Sequence, residues 1–306
     1  PNVIYNMGTG VLRAVGDSRR PLYFLIAASL CNIVLDLLLV VVVPLGVLGV
    51  AIATVASQVL SAVLVVISLM RSQGAPFQLF PSQLKLHRQP MSAIMKVGVP
   101  TALQSVMYSA SNIVIQACIN SFDTDAVAAW TAYGKMDILF WMTITALSQA
   151  LTTFAGQNYG AGKYDRLKKS VKISVGMSAI ITIAMSAFLV LLARPILSIF
   201  TPDPDVLEIG VEMVVFLAPC YVTYILVELL PGAIRGAGKS LVPMLISVFG
   251  VCGLRLLWLF LVVPQYHTIV MVEASYPITW LTTSVALLIY YKFGKWLKEP
   301  EAALHR

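Results

Sequence analysis

The stretch Gly10-Val-Leu-Arg13-Ala-Val-Gly16-Asp-Ser18-Arg-Arg-Pro21 returns as Gly232-Ala-Ile-Arg235-Gly-Ala-Gly238-Lys-Ser240-Leu-Val-Pro243, with the shared Gly, Arg, Gly, Ser and Pro all 222 residues apart. A constant offset at five positions marks a duplication. Two long apolar runs follow each copy, so the repeated object is a bundle of membrane spans, and two such bundles facing each other is a common plan for secondary transporters. Carried back by 222 residues, the second copy finds no partner for its spans at 96–121, 125–153 and 171–193, and only residues 1–13 for the span at 206–230. The spacing therefore predicts an intact protein of twelve spans, with three and most of a fourth lying upstream of Pro1.

Composition agrees with a bilayer protein. The chain is 58% hydrophobic and 11% charged, with a mean hydropathy of +0.85, whereas soluble domains carry roughly 25% charged residues. Apolar runs long enough to cross a membrane are expected at 22–43, 47–70, 96–121, 125–153, 171–193, 206–230, 241–263 and 270–291. The fold class expected is an all-α membrane protein. It is a polytopic helical bundle with a two-lobed twelve-span transporter fold that lacks about the first four spans. Residues 1–72 would close the first lobe, 73–90 form a polar, Pro-containing linker, and 91–306 make a complete second lobe of six spans.

A net charge of +7 raises the question of nucleic acid, and the location of the bases answers it. Arg13, Arg19 and Arg20, Arg71, Lys85, Arg88 and Lys96, Lys163 to Lys172, Arg235 and Lys239, and Lys292 to Lys298 fall in alternate connections. The other connections carry Asp123, Asp125, Asp203, Asp205, Glu208 and Glu273. This is the positive-inside pattern, so the duplicated loops and the C-terminus are expected on the cytoplasmic side of a cell (inner) membrane, with no nucleic-acid partner. Cys31, Cys118, Cys220 and Cys252 sit in apolar runs without metal or disulfide spacing, and His87, His267 and His305 lie in loops or the tail. No cofactor or bound metal beyond a coupling ion is expected. Enzyme signatures are missing as well, and Gly236-Ala-Gly238-Lys239-Ser240 lacks both the first Gly and the preceding strand of a phosphate loop.

An ionisable residue inside a span costs about 2.5–3.5 kcal/mol even on lenient insertion scales, so each one asks for a reason. Asp36 follows Asn32 by one helical turn, and the short turn Pro44-Leu-Gly46 brings Thr54 of the next span to a similar depth, ~10–12 Å from the outer boundary. A carboxylate, an amide and a hydroxyl are hard oxygen ligands suited to Na⁺, and the carboxylate alone suits H⁺. The positions 222 residues on are Leu254, Trp258 and Tyr276, so only the first lobe carries this set. In the second lobe, Lys135 and Asp137 point to different faces of their helix, one toward a cavity and the other toward a neighbour. Glu228 is expected to snorkel or cap near the inner end of its span, and Arg255 to pair with one of the acids. Gly98 with Pro100, Pro219, Gly250 with Gly253, and Pro277 are expected to kink or loosen their helices.

The loop at 10–21, the span segment Asn32-Ile-Val-Leu-Asp36 and the loop Gly156-Gln157-Asn-Tyr-Gly160-Ala-Gly162-Lys163 together resemble the multidrug and toxic compound extrusion (MATE) family. The resemblance implies two six-span lobes that open alternately to each side and expel amphipathic, often cationic, drugs or toxins in exchange for Na⁺ or H⁺. In one branch of that family a first-span Asp joins an Asn, an Asp and a Thr, and Asn32, Asp36 and Thr54 match the last three by spacing. The other branch uses carboxylates of the second lobe, whose equivalents here would be Tyr108 and Tyr224, which speaks against that mechanism. Tyr108, Tyr224, Lys135 and Asp137 are the candidates for lining a substrate cavity. The protein is expected to act as a monomer in the lipid bilayer on small molecules. A lipid or lipid-linked saccharide flippase of the same superfamily fold is the alternative, but it should line its cavity with more cations than Lys135 and Arg255.

Overall fold

The computed structural model describes residues 1–297, so Lys298, His305 and the expected cytoplasmic C-terminus lie outside the described residues. The described chain is helical and divides into two compact units, Pro1–His87 and the residues from Arg88 on. The first unit holds α1 (Asn2–Ala14), α2 (Arg19–Asp36, continued as a π-helical segment Leu37–Val42) and α3 (Val47–Met70). Its core is Tyr5, Leu12, Val65 and Leu69. Part of the stretch expected as linker packs here too: the Leu79 amide donates to the Leu69 carbonyl (3.2 Å), and Phe77 and Leu79 cover the same core.

The second unit runs through α4 (Arg88–Ile119), α5 (Thr124–Gly160), α6 (Tyr164–Leu191), the short α7 (Ala193–Leu197) and α8 (Pro204–Leu217). A 3-10 segment, Ala218–Tyr224, leads into α9 (Ile225–Gly236). After α10 (Leu241–Ser247) a π-helical segment, Val248–Gly253, leads into α11 (Leu254–Leu261), α12 (Val263–Tyr266) and α13 (Ile269–Phe293). Asp123 and Asp203 start two of these helices by accepting from the amides of Ala126 (2.8 Å) and Asp205 (3.0 Å), which satisfies amides that have no partner within the helix.

Among the described residues, six helices are long and apolar enough to cross a membrane: Arg19–Val42, Val47–Met70, Thr124–Gly160, Tyr164–Leu191, Pro204–Gly236 and Leu241–Tyr266. The protein is thus a polytopic all-α membrane bundle. The other two expected spans are also long helices, α4 and α13, but polar residues dilute their apolar character. Gln104 and Asn112 of α4 face a cavity, and Thr279 and Thr283 of α13 bond back to their own helix. Glu273, counted above with the outer connections, is instead buried on α13 at 2% exposure.

The duplication is visible in the backbone. Gly16 (φ +90) and Gly238 (φ +77) both adopt the left-handed conformation. In the first copy the amides of Gly16 and Asp17 donate to the carbonyls of Arg13 and Leu12 (both 2.9 Å). In the second, Gly238 and Lys239 donate to Arg235 (2.8 Å) and Ile234 (3.2 Å). This is the Schellman helix stop, which needs Gly at its left-handed position. It ends α1 and α9, and the following helices begin in register, at Arg19 and Leu241 and then at Val47 and Ile269. We expect Gly16→Ala and Gly238→Ala to cost about 1–2 kcal/mol each, read as similar falls in the melting temperature of detergent-solubilised protein. An unchanged temperature for either would contradict the shared stop.

Proline and glycine act unequally. Pro219 lies in the 3-10 segment, and Gly250 and Gly253 lie in the second π-helical segment, whereas Pro100 and Pro277 sit inside continuous α-helices. The first π-helical segment, Leu37–Val42, has neither residue within it.

Candidate cation and substrate sites

In the first unit, Asp36 is the last α-helical residue before the π-helical turns, an irregularity that often accompanies functional sites. Asn32 and Asp36 are half-buried, and the Asn32 amide nitrogen and Asp36 Oδ1 are buried without a hydrogen-bond partner. A buried polar atom left unpaired costs about 1–3 kcal/mol, and more when charged. The Asp36 oxygen can accept a proton or a hard cation, whereas the Asn32 nitrogen is a donor and only that side chain's oxygen could serve as a ligand.

Thr54 does not join them. Its side chain is exposed, and among the described residues no hydrogen bond ties it to Asn32 or Asp36. The reason is azimuth. Ala53, Ser57 and Ser61 form the buried stripe of α3, and Thr54 stands one residue, roughly 100°, round from it. Depth alone put the hydroxyl beside the carboxylate.

The second unit contains a half-open cavity of about 410 Å³, within the range of small-molecule sites. Tyr108 of α4 and Tyr224, at the junction of the 3-10 segment and α9, both line it, together with Trp141, Glu228, Arg255, Tyr276 and Trp280. Tyr224 and Trp280 stand 5.4 Å apart, and Trp141 and Tyr224 4.8 Å, both edge to face, so one wall is a continuous aromatic surface.

Lys135 and Asp137 do not line this cavity. Lys135 is exposed. Asp137 accepts from the Trp141 indole N–H and the Tyr221 hydroxyl, and Tyr221 in turn meets the Tyr133 hydroxyl at 2.9 Å. Asp137 is thereby locked into a buried network that braces α5 against the 3-10 segment.

Two expectations need correction. Glu228 neither snorkels nor caps: it lines the cavity, and its Oε2 accepts from the Tyr224 hydroxyl at 3.2 Å. The second lobe therefore does present a carboxylate, one turn beyond Tyr224. Arg255 finds no acid. It is 4% exposed, its guanidinium lies 4.1 Å over the Tyr276 ring, and one of its nitrogens donates to Thr279 Oγ1 at 3.4 Å.

The family model for MatE matches residues 100–261, about half of the chain, from α4 to the end of α11. The chain is 26% identical over 300 residues to a Bacillus subtilis protein named "Probable multidrug resistance protein YoeA", a match covering 95% of this chain and 64% of that one. It is 30% identical over 226 residues to the FAD transporter of Shewanella oneidensis, covering 71% of this chain and 49% of the relative. The chain thus spans less than two thirds of the length of these relatives. Among solved structures, a MATE in the bent conformation superposes with a TM-score of 0.86 at 21% identity, over 95% of this chain and 64% of that one. A MOP superfamily transporter from Pyrococcus furiosus gives 0.87 at 20%, over 94% and 65%. The family match covers every cavity-bearing helix but α13, the two solved folds extend over nearly the whole chain, and the chain belongs to the MatE family.

Proposed function

We propose that the protein exports amphipathic drugs or toxic compounds across the cell membrane by alternating access, in exchange for Na⁺ or H⁺, and that Asp36 with Asn32 is the coupling site. It is a carrier and makes or breaks no covalent bond in its cargo. The observation that carries the reading is the half-buried Asp36, whose buried carboxylate oxygen has no partner, one turn from Asn32 and beside a π-helical segment. The names of the relatives, a multidrug resistance protein and an FAD transporter, support export or transport of sizeable aromatic compounds.

Coupling follows from charge. An ionised Asp36 is costly in a low-dielectric surround, and a bound proton or Na⁺ removes most of that cost. The loaded and unloaded forms then favour different lobe arrangements, and cargo crosses in one direction as the cation crosses in the other. The residues suit a monovalent cation: two oxygen-bearing side chains one turn apart, one of them anionic. The basic duplicated loops place themselves on the cytoplasmic side.

Glu228 is the competing carboxylate, but its oxygen already has a partner in Tyr224. We therefore expect Glu228→Gln to change apparent cargo affinity and to keep efflux dependent on the imposed gradient. Vesicle transport at several gradient strengths is the check. Loss of gradient dependence in Glu228→Gln, with Asp36→Asn unaffected, would move coupling to the second lobe.

A further inference from the structure

At the register where the first lobe carries Asn32, Asp36 and Thr54, the second carries Leu254, Trp258 and Tyr276, and Arg255 stands beside the first of these. Arg255 and Tyr276 line the same cavity, so an acidic site in one copy of the duplication is matched by a cationic, aromatic one in the other.

The cation is left short of partners. Arg255 Nε is buried and unbonded, and among the described residues no ion pair joins Arg255 to an acid. A guanidinium cannot shed its proton to escape burial. The face of Tyr276 and one long hydrogen bond to Thr279 compensate it only in part. Glu228, the one carboxylate of the lining among the described residues, keeps its charge while accepting from Tyr224, and the two guanidinium groups of Arg255 and Arg235 outnumber it. The Tyr108 hydroxyl and Ser111 Oγ, both lining residues, are buried and unbonded as well. The groups left over can all donate hydrogen bonds, and they are set beside the edge-to-face rings of Trp141, Tyr224, Tyr276 and Trp280.

We propose that this cavity is a cargo site and that its cargo is a planar aromatic compound bearing an anionic group, such as a carboxylate, sulfonate or phosphate, with the anion seated on Arg255 and the ring against the aromatic wall. The word cargo rests on the export reading above; the binding preference does not. Cationic drugs, the usual expectation from the family resemblance, are disfavoured here because they would meet a guanidinium that is only partly compensated.

The test is equilibrium binding to the purified protein, as its gene encodes it, with three probes. Flavin mononucleotide and riboflavin share one ring system with and without a phosphate, and ethidium is a planar cation. Flavin mononucleotide should bind at least tenfold more tightly than riboflavin or ethidium. Arg255→Gln should bring the two flavins within about twofold of each other, and Arg255→Lys should keep part of the preference. Ethidium binding as tightly as flavin mononucleotide, no preference between the flavins, or a preference that survives Arg255→Gln would overturn the assignment. Should Arg255→Gln fail to assemble, the wild-type comparison and Arg255→Lys still decide. No gradient is applied, so failure here leaves coupling at Asp36 standing. Loss of coupling in Asp36→Asn with flavin binding intact would separate the two in the other direction.

Discussion

Replacing Asp36 by Asn is expected to reduce gradient-driven efflux at least tenfold while the protein reaches the membrane in wild-type amounts. The substitution keeps shape and removes the ionisable oxygen. If Asp36 served only to hold α2 against α3, the variant should instead lose stability, because an interhelical bond would be broken. The structure argues otherwise: Asp36 Oδ1 has no bond to lose, and a neutral amide is cheaper to bury than an ionised carboxylate. Melting temperature should therefore hold or rise as efflux collapses. Wild-type efflux in this variant would remove Asp36 from the coupling site.

The second large effect concerns the seam between α5 and α9. Gly232 and Gly236 are four residues apart on one face of α9, the small-residue spacing that lets membrane helices approach closely. A Cβ at Gly236 would lie 2.6 Å from the Thr152 carbonyl oxygen and 2.8 Å from Ala155 Cβ. One at Gly232 would lie 2.8 Å from Ser148 Oγ, the hydroxyl that donates to the Glu228 carbonyl at 3.1 Å. Backbone cannot yield as a flexible side chain does, so Gly236→Val should cost about 3 kcal/mol or more and sharply lower the recovery of folded protein. Gly134→Ala on α5 is the control, since a Cβ there meets nothing within 4 Å, and it should leave the melting temperature unchanged or raise it. Equal behaviour of the two variants on size-exclusion melting curves would contradict the close seam.

How far the sequence could be read depended on whether a physical requirement left a residue signature. The duplicated stop was legible because a left-handed turn demands Gly, and Gly16 and Gly238 both supply it. Apolar runs located the spans because hydrocarbon tolerates little else. Thr54 was misplaced because counting residues gives depth and says nothing of azimuth, and a single step off the Ala53–Ser57–Ser61 stripe turns it away. Glu228 was misread for a related reason: its place near the inner end of the span gives depth, whereas its direction into the cavity is set by where the 3-10 segment Ala218–Tyr224 hands over to α9. The π-helical run Leu37-Leu-Leu-Val-Val-Val left no trace, since nothing in its composition distinguishes it from an ordinary span. Two spans, α4 and α13, gave weak apolar signals partly because Gln104, Asn112 and Tyr276 face the cavity.

Antiport through Asp36 makes a demand that no passive pore or facilitator meets: cargo running downhill must drive the cation uphill. The direct measurement uses proteoliposomes loaded with cargo, with Na⁺ and pH equal on both sides at the start, and follows internal Na⁺ and pH as cargo leaves. The wild type should accumulate one of the two cations inside against its rising gradient, and Asp36→Asn should release cargo, if at all, with no cation movement. Cargo efflux from the wild type without any cation accumulation, or accumulation that persists in Asp36→Asn, would contradict coupling at this carboxylate.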